Sequence, residues 1–561
     1  MELQNEIIKA YALENAIRHE GKANQGAVLA GLFAEGLEKE DIQKYLPKIK
    51  KIVDEVNNLS LKKQKEEFEN LEQKTSKRKI REELPELPNA KKGNVIMRFA
   101  PFPSGPLHIG NARPLILNDE YAKMYDGKLL LVMDDTIGSV EKPIEPKAYK
   151  LIEEGVKWLD VNYDKKIIYK SDRIEKYYEY AQELIKKGYM YVCICPKEKI
   201  HELKINGIEC PCRQLHQEEQ LKRWQEIFKT EEGSMCVRLK TSMQDPDPAF
   251  RDRIMFRISD RLHARTGKKY RVYPLLDFSW AIDDHVFGIT HILRGTDLVM
   301  ETRVEKFIWD IFGWKHPEII YNGHLEIEGV KISKSKGSIE VKSGRYFGWN
   351  DPRTWSLQSL KDRGITKEAL REFILKLGVK KSNTTTPIDV LYSINRKVLE
   401  EVSRYFFVED PIKIKISASP KLTAKIPLHP NGKLGTKIYQ TSQEFLISKE
   451  DFNQIESANY RLMHLMNFKS DNFLPLKSRT FSFISQEPDN SLKTKFIHWL
   501  PAETKNIKTE ILMPDGLIKK GLGESKLDEL KEGSIIQFER VGFAKLHKKE
   551  KDKLIFWFAN G

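Results

Sequence analysis

The stretch from Arg98 to Arg113, R-F-A-P-F-P-S-G-P-L-H-I-G-N-A-R, constrains the fold of this chain more than any other. Ahead of it, Val95-Ile96-Met97 is apolar and short enough for a buried strand. Behind it, Leu115, Leu117, Tyr121 and Met124 recur at helical spacing, with Pro114 early enough for the first turn. A strand, a Gly/Pro-rich loop and a helix bring backbone N–H groups and a helix N-terminus to a phosphate. The loop is neither the G-x-G-x-x-G of a dinucleotide fold nor the G-x-x-x-x-G-K-[ST] of a P-loop. Gly105 and Gly110 let backbone come close to a ligand, and His108 adds a polar side chain. Far downstream stands Lys331-Ile-Ser-Lys-Ser-Lys-Gly337, whose cations, hydroxyls and glycine suit a flexible phosphate clamp. Alone it would read as an exposed basic loop; after the histidine loop it reads as the other half of a nucleotide site.

At 561 residues the chain should hold three to five domains of ~100–200 residues each. Lys and Arg number 95 against 81 Asp and Glu, an excess of 14 positive charges that points to a polyanionic partner such as nucleic acid. The N-terminus lacks the basic-then-apolar layout of a secretory signal. No segment approaches ~18 uninterrupted apolar residues, so no membrane span is expected. Of five cysteines, four form two pairs, Cys193-Ile-Cys195 and Cys210-Pro-Cys212. That pattern suits a reducing cytoplasm and a four-thiolate structural zinc site better than a disulfide framework. Cys236 is the odd one out, expected in a buried strand.

Taken in order, residues 1–93 read as a separate helical domain, with a charged run from Leu61 to Glu83 ending at Leu84-Pro-Glu-Leu-Pro88. Residues 94–190 alternate strand and helix, and Lys128-Leu-Leu-Leu-Val-Met133 delivers Asp134-Asp-Thr136 at a strand's carboxyl end, where open parallel sheets bind ligands. Such acids can merely cap the next helix; beside the histidine loop, a functional role is the better reading. Residues 191–272 are polar, β-rich and insert-like, and 273–346 resume the α/β pattern, with Arg294 closing a strand at Ile289–Leu293. Residues 347–404 are helical, and 405–561 are short β-rich runs, with Ile535–Arg540 and Leu554–Phe558 as late barrel strands. Arg98 and Arg294 both fall beside loop and strand ends, and two planar cations aimed at one pocket suit a dicarboxylate-like substrate.

The P-x-H-x-G-N and Lys331–Ser335 elements, in this order, are forms of the two signatures of class I aminoacyl-tRNA synthetases. Together with Pro274 to Gly295, Gly348-Trp-Asn-Asp-Pro-Arg-Thr354, Ile394-Asn-Arg-Lys397, Arg404 to Pro411 and Gly521 to Phe543, they make the chain resemble the archaeal-type glutamyl-tRNA synthetases along essentially its whole length. The resemblance implies a multidomain α/β protein: a Rossmann-type catalytic core, an inserted acceptor-end-binding domain, a helical stem-contact domain, C-terminal β-barrel anticodon-binding domains and an N-terminal helical domain. It implies ATP with Mg²⁺, glutamate and tRNA-Glu as substrates, formation of glutamyl-adenylate, and transfer to the terminal adenosine of the tRNA.

Carried over by motif, His108, Lys331 and Lys334 would be catalytic. Pro106, His108, Gly110, Asn111, Ser333 and Lys334 would bind ATP. Arg98, Ser104, Asp134, Tyr273 and Arg294 would line the glutamate site, with Asp134 on the α-amino group and Arg294 on the γ-carboxylate. Glutaminyl enzymes place an uncharged residue at the Arg294 position and a tyrosine at that of Leu276, so both positions favour glutamate. Asn111 replaces the second histidine of H-I-G-H. Val132 stands where the family commonly has the arginine of L-R-F-D-D-T, which alters the hydrogen bonding expected around Asp134. Charging of tRNA-Gln as well as tRNA-Glu, a monomer and a cytoplasmic location complete the expectations. The rivals are a glutaminyl-tRNA synthetase, a tRNA-modifying relative and a catalytically silent tRNA-binding scaffold.

Overall fold

The structure is a computed structural model of the chain, describing residues 5–18, 21–32, 37, 41–71, 84–140, 142–164, 166–330, 334–471 and 480–561. It divides into two compact units, residues 1–82 and 83–561. Among the described residues no helix is long and apolar enough to cross a membrane.

The first unit is helical, over Asn5–Arg18, Gln25–Leu32, Ile42–Asn57 and Leu61–Leu71. Ile8, Leu13, Ile49 and Val53 form its core. Among the described residues the polar side chain of Gln64 is fully buried there, and its amide donates to the carbonyls of Gly21 and Val56 at 2.9 Å each. The later part of the charged run, residues 72–83, lies outside the described residues.

The second unit is organised by β1 (Ile96–Phe99), α1 (Ile109–Met124), β2 (Lys128–Met133) and β3 (Ile168–Tyr169), then α2 (Leu276–Val286), β4 (His291–Gly295), α3 (Val299–Phe312) and β5 (Glu318–Asn322). β1 pairs with β2, β2 with β3 and β4 with β5, all in parallel. The Thr290 N–H, just before β4, donates to the Ile96 carbonyl at 2.9 Å and so sets β4 beside β1. The resulting order, β3-β2-β1-β4-β5, is that of a doubly wound nucleotide fold, with its switch point between β1 and β4. β2 reads as unbroken apolar sequence because both its faces are covered. Leu129 and Leu131 join one core, and Leu130 and Val132 join another.

One local expectation is corrected. Pro114 does not sit in the first turn of α1 but inside the helix, which begins at Ile109. A proline there supplies no N–H to the carbonyl of Gly110, four residues back, loosening the helix where it opens onto the sheet end.

An antiparallel sheet of Met190–Cys193, Cys236–Leu239, Ile254–Ile258 and Val272–Pro274 is inserted between the two halves of the parallel sheet. It carries the helices Lys197–Asn206 and Gln217–Glu226, so this region is less β-rich than its composition suggests. After β5 come the helices Lys334–Lys342, Leu357–Arg363, Lys367–Leu377 and Ile388–Val398. Leu360, Phe373 and Leu391 share the core of Met97 and Leu131, which fixes the helical region against the sheet.

The C-terminal residues build two seven-stranded sheets. In one, the edge strands are Arg404–Tyr405 and Phe407–Glu409; in the other, Lys495–Ile497 and Leu500–Pro501. Edge strands so close along the chain cannot lie at opposite sides of a flat sheet, so each sheet must curl round, as a barrel does.

Candidate active site

A cavity of about 580 Å³ opens at the carboxyl ends of β1, β2 and β4, the place where open parallel sheets bind ligands. Arg98, His108, Gly110 and Asn111 line it, as do Asp134, Leu276, Trp280 and Arg294. Residues brought from three separate stretches of sequence thus meet in one hollow.

His108 is the N-cap of α1, in extended conformation. Its Nδ1 accepts the Gly110 N–H at 3.1 Å, and its own N–H donates to Asn111 Oδ1 at 3.3 Å. This reciprocal capping fixes the imidazole at the positive end of the helix dipole. Asn111 therefore has a structural task that a second histidine would perform less directly: its amide oxygen closes the cap. A Cβ on Gly110 would lie 3.0 Å from the His108 ring, so glycine is what lets the ring fold over the helix start.

The far wall is built around one indole. Trp280 has the Arg98 guanidinium 4.5 Å, the Lys170 ammonium 4.9 Å and the Arg294 guanidinium 4.9 Å from its ring centroids. Each cation also has its own buried carboxylate. Arg98 donates to both Asp284 oxygens, at 2.6 and 2.9 Å. Arg294 donates to both Glu305 oxygens, at 2.7 and 3.1 Å, and to Thr302 Oγ1 at 2.9 Å. Lys170 stands 2.9 Å from Asp134 and donates to Ser279 Oγ at 2.9 Å. Burial pushes the Glu305 carboxyl up to about 7, with Arg294 pulling the other way. The Nε of Arg294 and the indole Nε1 of Trp280 have no hydrogen-bond partner, so two donors remain unspent in the wall of the cavity.

Asp134 and Asp135 diverge, as neighbours on a strand end must. Asp134 faces the cavity. Asp135 accepts from the Ser171 N–H at 2.9 Å, Ser171 Oγ at 2.8 Å and the Tyr149 hydroxyl at 2.9 Å. It ties β2 to the segment after β3 and is not available to a ligand. Val132 is 2 % exposed in the apolar core, and a cation beside Asp134 is Lys170, delivered from the turn that follows β3.

Not every expected residue reaches the cavity. Tyr273 is fully buried, its hydroxyl donating to the Tyr270 carbonyl at 2.9 Å. Ser104 is buried with an unpartnered Oγ, yet neither it nor Pro106 lines this hollow. Lys331 and Ser333 lie outside the described residues, and Lys334 opens the helix Lys334–Lys342.

Four residues escaped the sequence reading. Leu276, Trp280 and Asp284 recur every four positions along α2, one face of a helix; that spacing, continued from Leu276, would have found two of them. Glu305 lies in the buried stripe of α3 with Thr302, Ile308 and Trp309, and an acid in an apolar stripe is a signal. Lys170 carries none.

The cysteine pairs do converge. Cys193 and Cys210 sulfurs are 3.6 Å apart, Cys195 and Cys210 3.4 Å, and Cys195 and Cys212 3.9 Å. All four lie within 4.8 Å of one another. Gln220 locks the two segments together, accepting from the Val192 N–H at 2.8 Å and donating to the Cys212 carbonyl at 2.5 Å. Arg223 donates to Cys212 Sγ at 3.4 Å. Cys236 pairs across the sheet with Cys193 and is half-buried rather than buried.

A family model described as the catalytic domain of class I tRNA synthetases (E and Q) matches residues 94–401. Two more, described as the anti-codon binding domain of the same synthetases, match residues 402–480 and 496–547. The chain is 42% identical over 578 positions to a protein named glutamate–tRNA ligase from Pyrococcus furiosus, covering 100% of each. Proteins of the same name from Pyrococcus abyssi, 41% identical over 577 positions, and Thermococcus kodakarensis, 40% over 582, likewise match across 100% of both chains.

Proposed function

This chain belongs to the class I tRNA synthetases that serve glutamate and glutamine, and we propose that it is the glutamate enzyme, a glutamate–tRNA ligase. The observation that carries this reading is Arg294, a guanidinium held at the end of β4 in the cavity wall. A neutral amide cannot compensate a buried guanidinium, whereas a γ-carboxylate can.

In the reaction, a glutamate α-carboxylate oxygen attacks the α-phosphorus of ATP, the bond to pyrophosphate breaks, and glutamyl-adenylate forms. The 2′-hydroxyl of the terminal adenosine of the tRNA then attacks the glutamyl carbonyl, its proton is lost, and AMP leaves. We assign ATP, which enters with Mg²⁺, to Pro106, His108, Gly110 and Asn111 at the start of α1. Lys331, Ser333 and Lys334 would stabilise the charge that moves onto pyrophosphate as its bond breaks. For glutamate we assign Arg98 and Arg294 to the carboxylate side, Asp134 to the α-amino group, and Ser104 and Tyr273 to the support of the site. Tyr273 acts from behind the wall, through its packing, since it does not face the cavity.

The four cysteines suit a structural zinc ion. Sulfurs bound at ~2.3 Å around one tetrahedral ion stand about 3.8 Å apart; three of the sulfur pairs stand 3.4 to 3.9 Å apart and all four sulfurs lie within 4.8 Å. Zinc there would pin the two arms of residues 191–272, which we assign to the acceptor end of the tRNA. Residues 347–404 are assigned to the stem contact, 405–561 to the anticodon and 1–93 to a separate helical domain. We place the enzyme in the cytoplasm, working as a monomer, and charging tRNA-Gln with glutamate as well as tRNA-Glu.

Aminoacylation with labelled glutamate and glutamine, on purified tRNA-Glu and tRNA-Gln separately, tests the whole reading. Glutamate on both tRNAs is expected. Glutamate on tRNA-Glu alone would remove the relaxed specificity, and glutamine on tRNA-Gln would overturn the role of Arg294.

A further inference from the structure

The segment Gly348–Thr354 opens the region assigned to the stem contact, and its sequence is distinctive. It packs between the Gly105 loop and the helix Lys334–Lys342. Its downstream end is stitched to the histidine loop by backbone: the Leu357 N–H donates to the Leu107 carbonyl at 2.8 Å, and the Ile109 N–H to the Trp355 carbonyl at 3.2 Å. Trp355 takes a left-handed backbone, φ 52°, to make that junction, a conformation that costs a non-glycine residue of order 1 kcal/mol. Its upstream end is held rigid from within. Asp351, fully buried, accepts from the Arg353 N–H at 3.1 Å and from its guanidinium at 2.8 and 2.7 Å, while Thr354 Oγ1 donates to the Trp349 carbonyl at 2.8 Å.

What this rigid segment presents is the indole of Trp349. A Cβ on Gly105, in the first loop, would lie 3.2 Å from that ring, and a Cβ on Gly337, in the helix that opens at Lys334, would also lie 3.2 Å from it. Both glycines are therefore packed against the same side chain, one from each loop. A second strut runs beside it: the Glu145 N–H donates to the Pro103 carbonyl at 2.9 Å, and the Glu145 carboxylate pairs with Lys342 at the end of the same helix.

Resting on the function proposed above, we infer that Trp349 is a positioning residue that sets the helix carrying Lys334 at a fixed seat against the Gly105 loop. Misplacement of a charge-stabilising group by about 1 Å can cost on the order of 100-fold in rate, so the seat bears on the adenylation step. Trp349 does not line the glutamate cavity, and glutamate binding should not register its loss.

The test is glutamate-dependent ATP–pyrophosphate exchange with tRNA present, using full-length wild type, Trp349→Ala, Gly337→Ala and the double variant. Trp349→Ala should lower kcat roughly ten-fold or more and leave KM for glutamate within about two-fold. Gly337→Ala, whose methyl pushes on the indole, should lower kcat alone, and the double variant should be no slower than Trp349→Ala. Tryptic cleavage within the helix Lys334–Lys342 should be faster in Trp349→Ala, whether or not the protein is active. Exchange by Trp349→Ala within two-fold of wild type, effects of the two substitutions that multiply, or unchanged cleavage would each overturn the inference. If Trp349→Ala fails to fold, Trp349→Phe takes its place in the same cycle. Absence of exchange by the wild type would sink the proposed function and leave the cleavage comparison to judge the seat.

Discussion

Arg294 and Glu305 form a two-pronged ion pair, 2.7 and 3.1 Å, inside a wall where both side chains are almost wholly shielded from water. The pair means that the guanidinium arrives at the cavity already oriented, with its charge partly answered by the protein. A carboxylate entering the cavity would meet a preset guanidinium instead of a mobile arginine.

Arg294→Gln should lower kcat/KM for glutamate by about 100-fold or more and destabilise the protein by ~3–5 kcal/mol, because it strands Glu305. Arg294→Gln with Glu305→Gln should recover most of the stability and none of the glutamate activity. Thermal melts and glutamylation of all three proteins check this; recovery of activity in the double variant would count against a direct role for Arg294.

Glu305 also sets a pH dependence. Its carboxyl is raised by burial from an ordinary 4.5 to about 7. Between those values the folded chain keeps a proton that the unfolded chain has released. Its contribution to stability is therefore full at the acid end and falls as pH rises from about 4.5 to about 7, by up to ~3 kcal/mol. Glu305→Gln removes this contribution. The Tm of the variant minus that of wild type should climb between pH 5 and 7 and level off above; a difference independent of pH would show that Glu305 keeps an ordinary carboxyl.

Trp280 is shared by three cations, each contact worth ~0.5–2 kcal/mol. Trp280→Leu should raise KM for glutamate by roughly 10- to 100-fold with a smaller change in kcat, since Arg98, Lys170 and Arg294 lose their common surface. Trp280→Phe, which keeps a ring, should fall between. Steady-state kinetics with glutamate as the varied substrate separate these outcomes.

Purified protein should carry about one equivalent of zinc, lost on Cys210→Ser and retained on Cys236→Ser, because Cys236 stands outside the group of four. Metal analysis and melts with and without chelator read this directly. Removal should lower the Tm, since the ion closes the link between two chain segments. Retention of the metal by Cys210→Ser would sink the site as drawn.

Much of the site could be read from sequence because its parts sit where local rules put them. A strand, a Gly/Pro-rich loop and a helix start placed His108, Gly110 and Asn111 together with no knowledge of the rest of the chain, and Asp134 and Arg294 were found as the last polar residues of apolar runs. The cysteine pairs were legible for the same reason: short spacing limits where two side chains can go. Pro114 falls about one turn deeper in the helix than expected, because the sequence offers no mark of where the first turn begins once a histidine serves as the cap.

The sequence by itself thus determined the glycine-rich loop with the helix start behind it, the family and the polar residues at the strand ends. Tertiary structure alone decided what those ligands face: that Asp135 turns from the cavity while Asp134 lines it, that Lys170 answers Asp134 where Val132 does not, and that Asp284 and Glu305 hold the two arginines about one indole. Periodicity reports which face of an element is apolar, a property of that element alone. Charge pairing inside a protein depends on which faces meet, and residues separated by 186 positions, as Arg98 and Asp284 are, share no local signal until the sheet and the helices have packed.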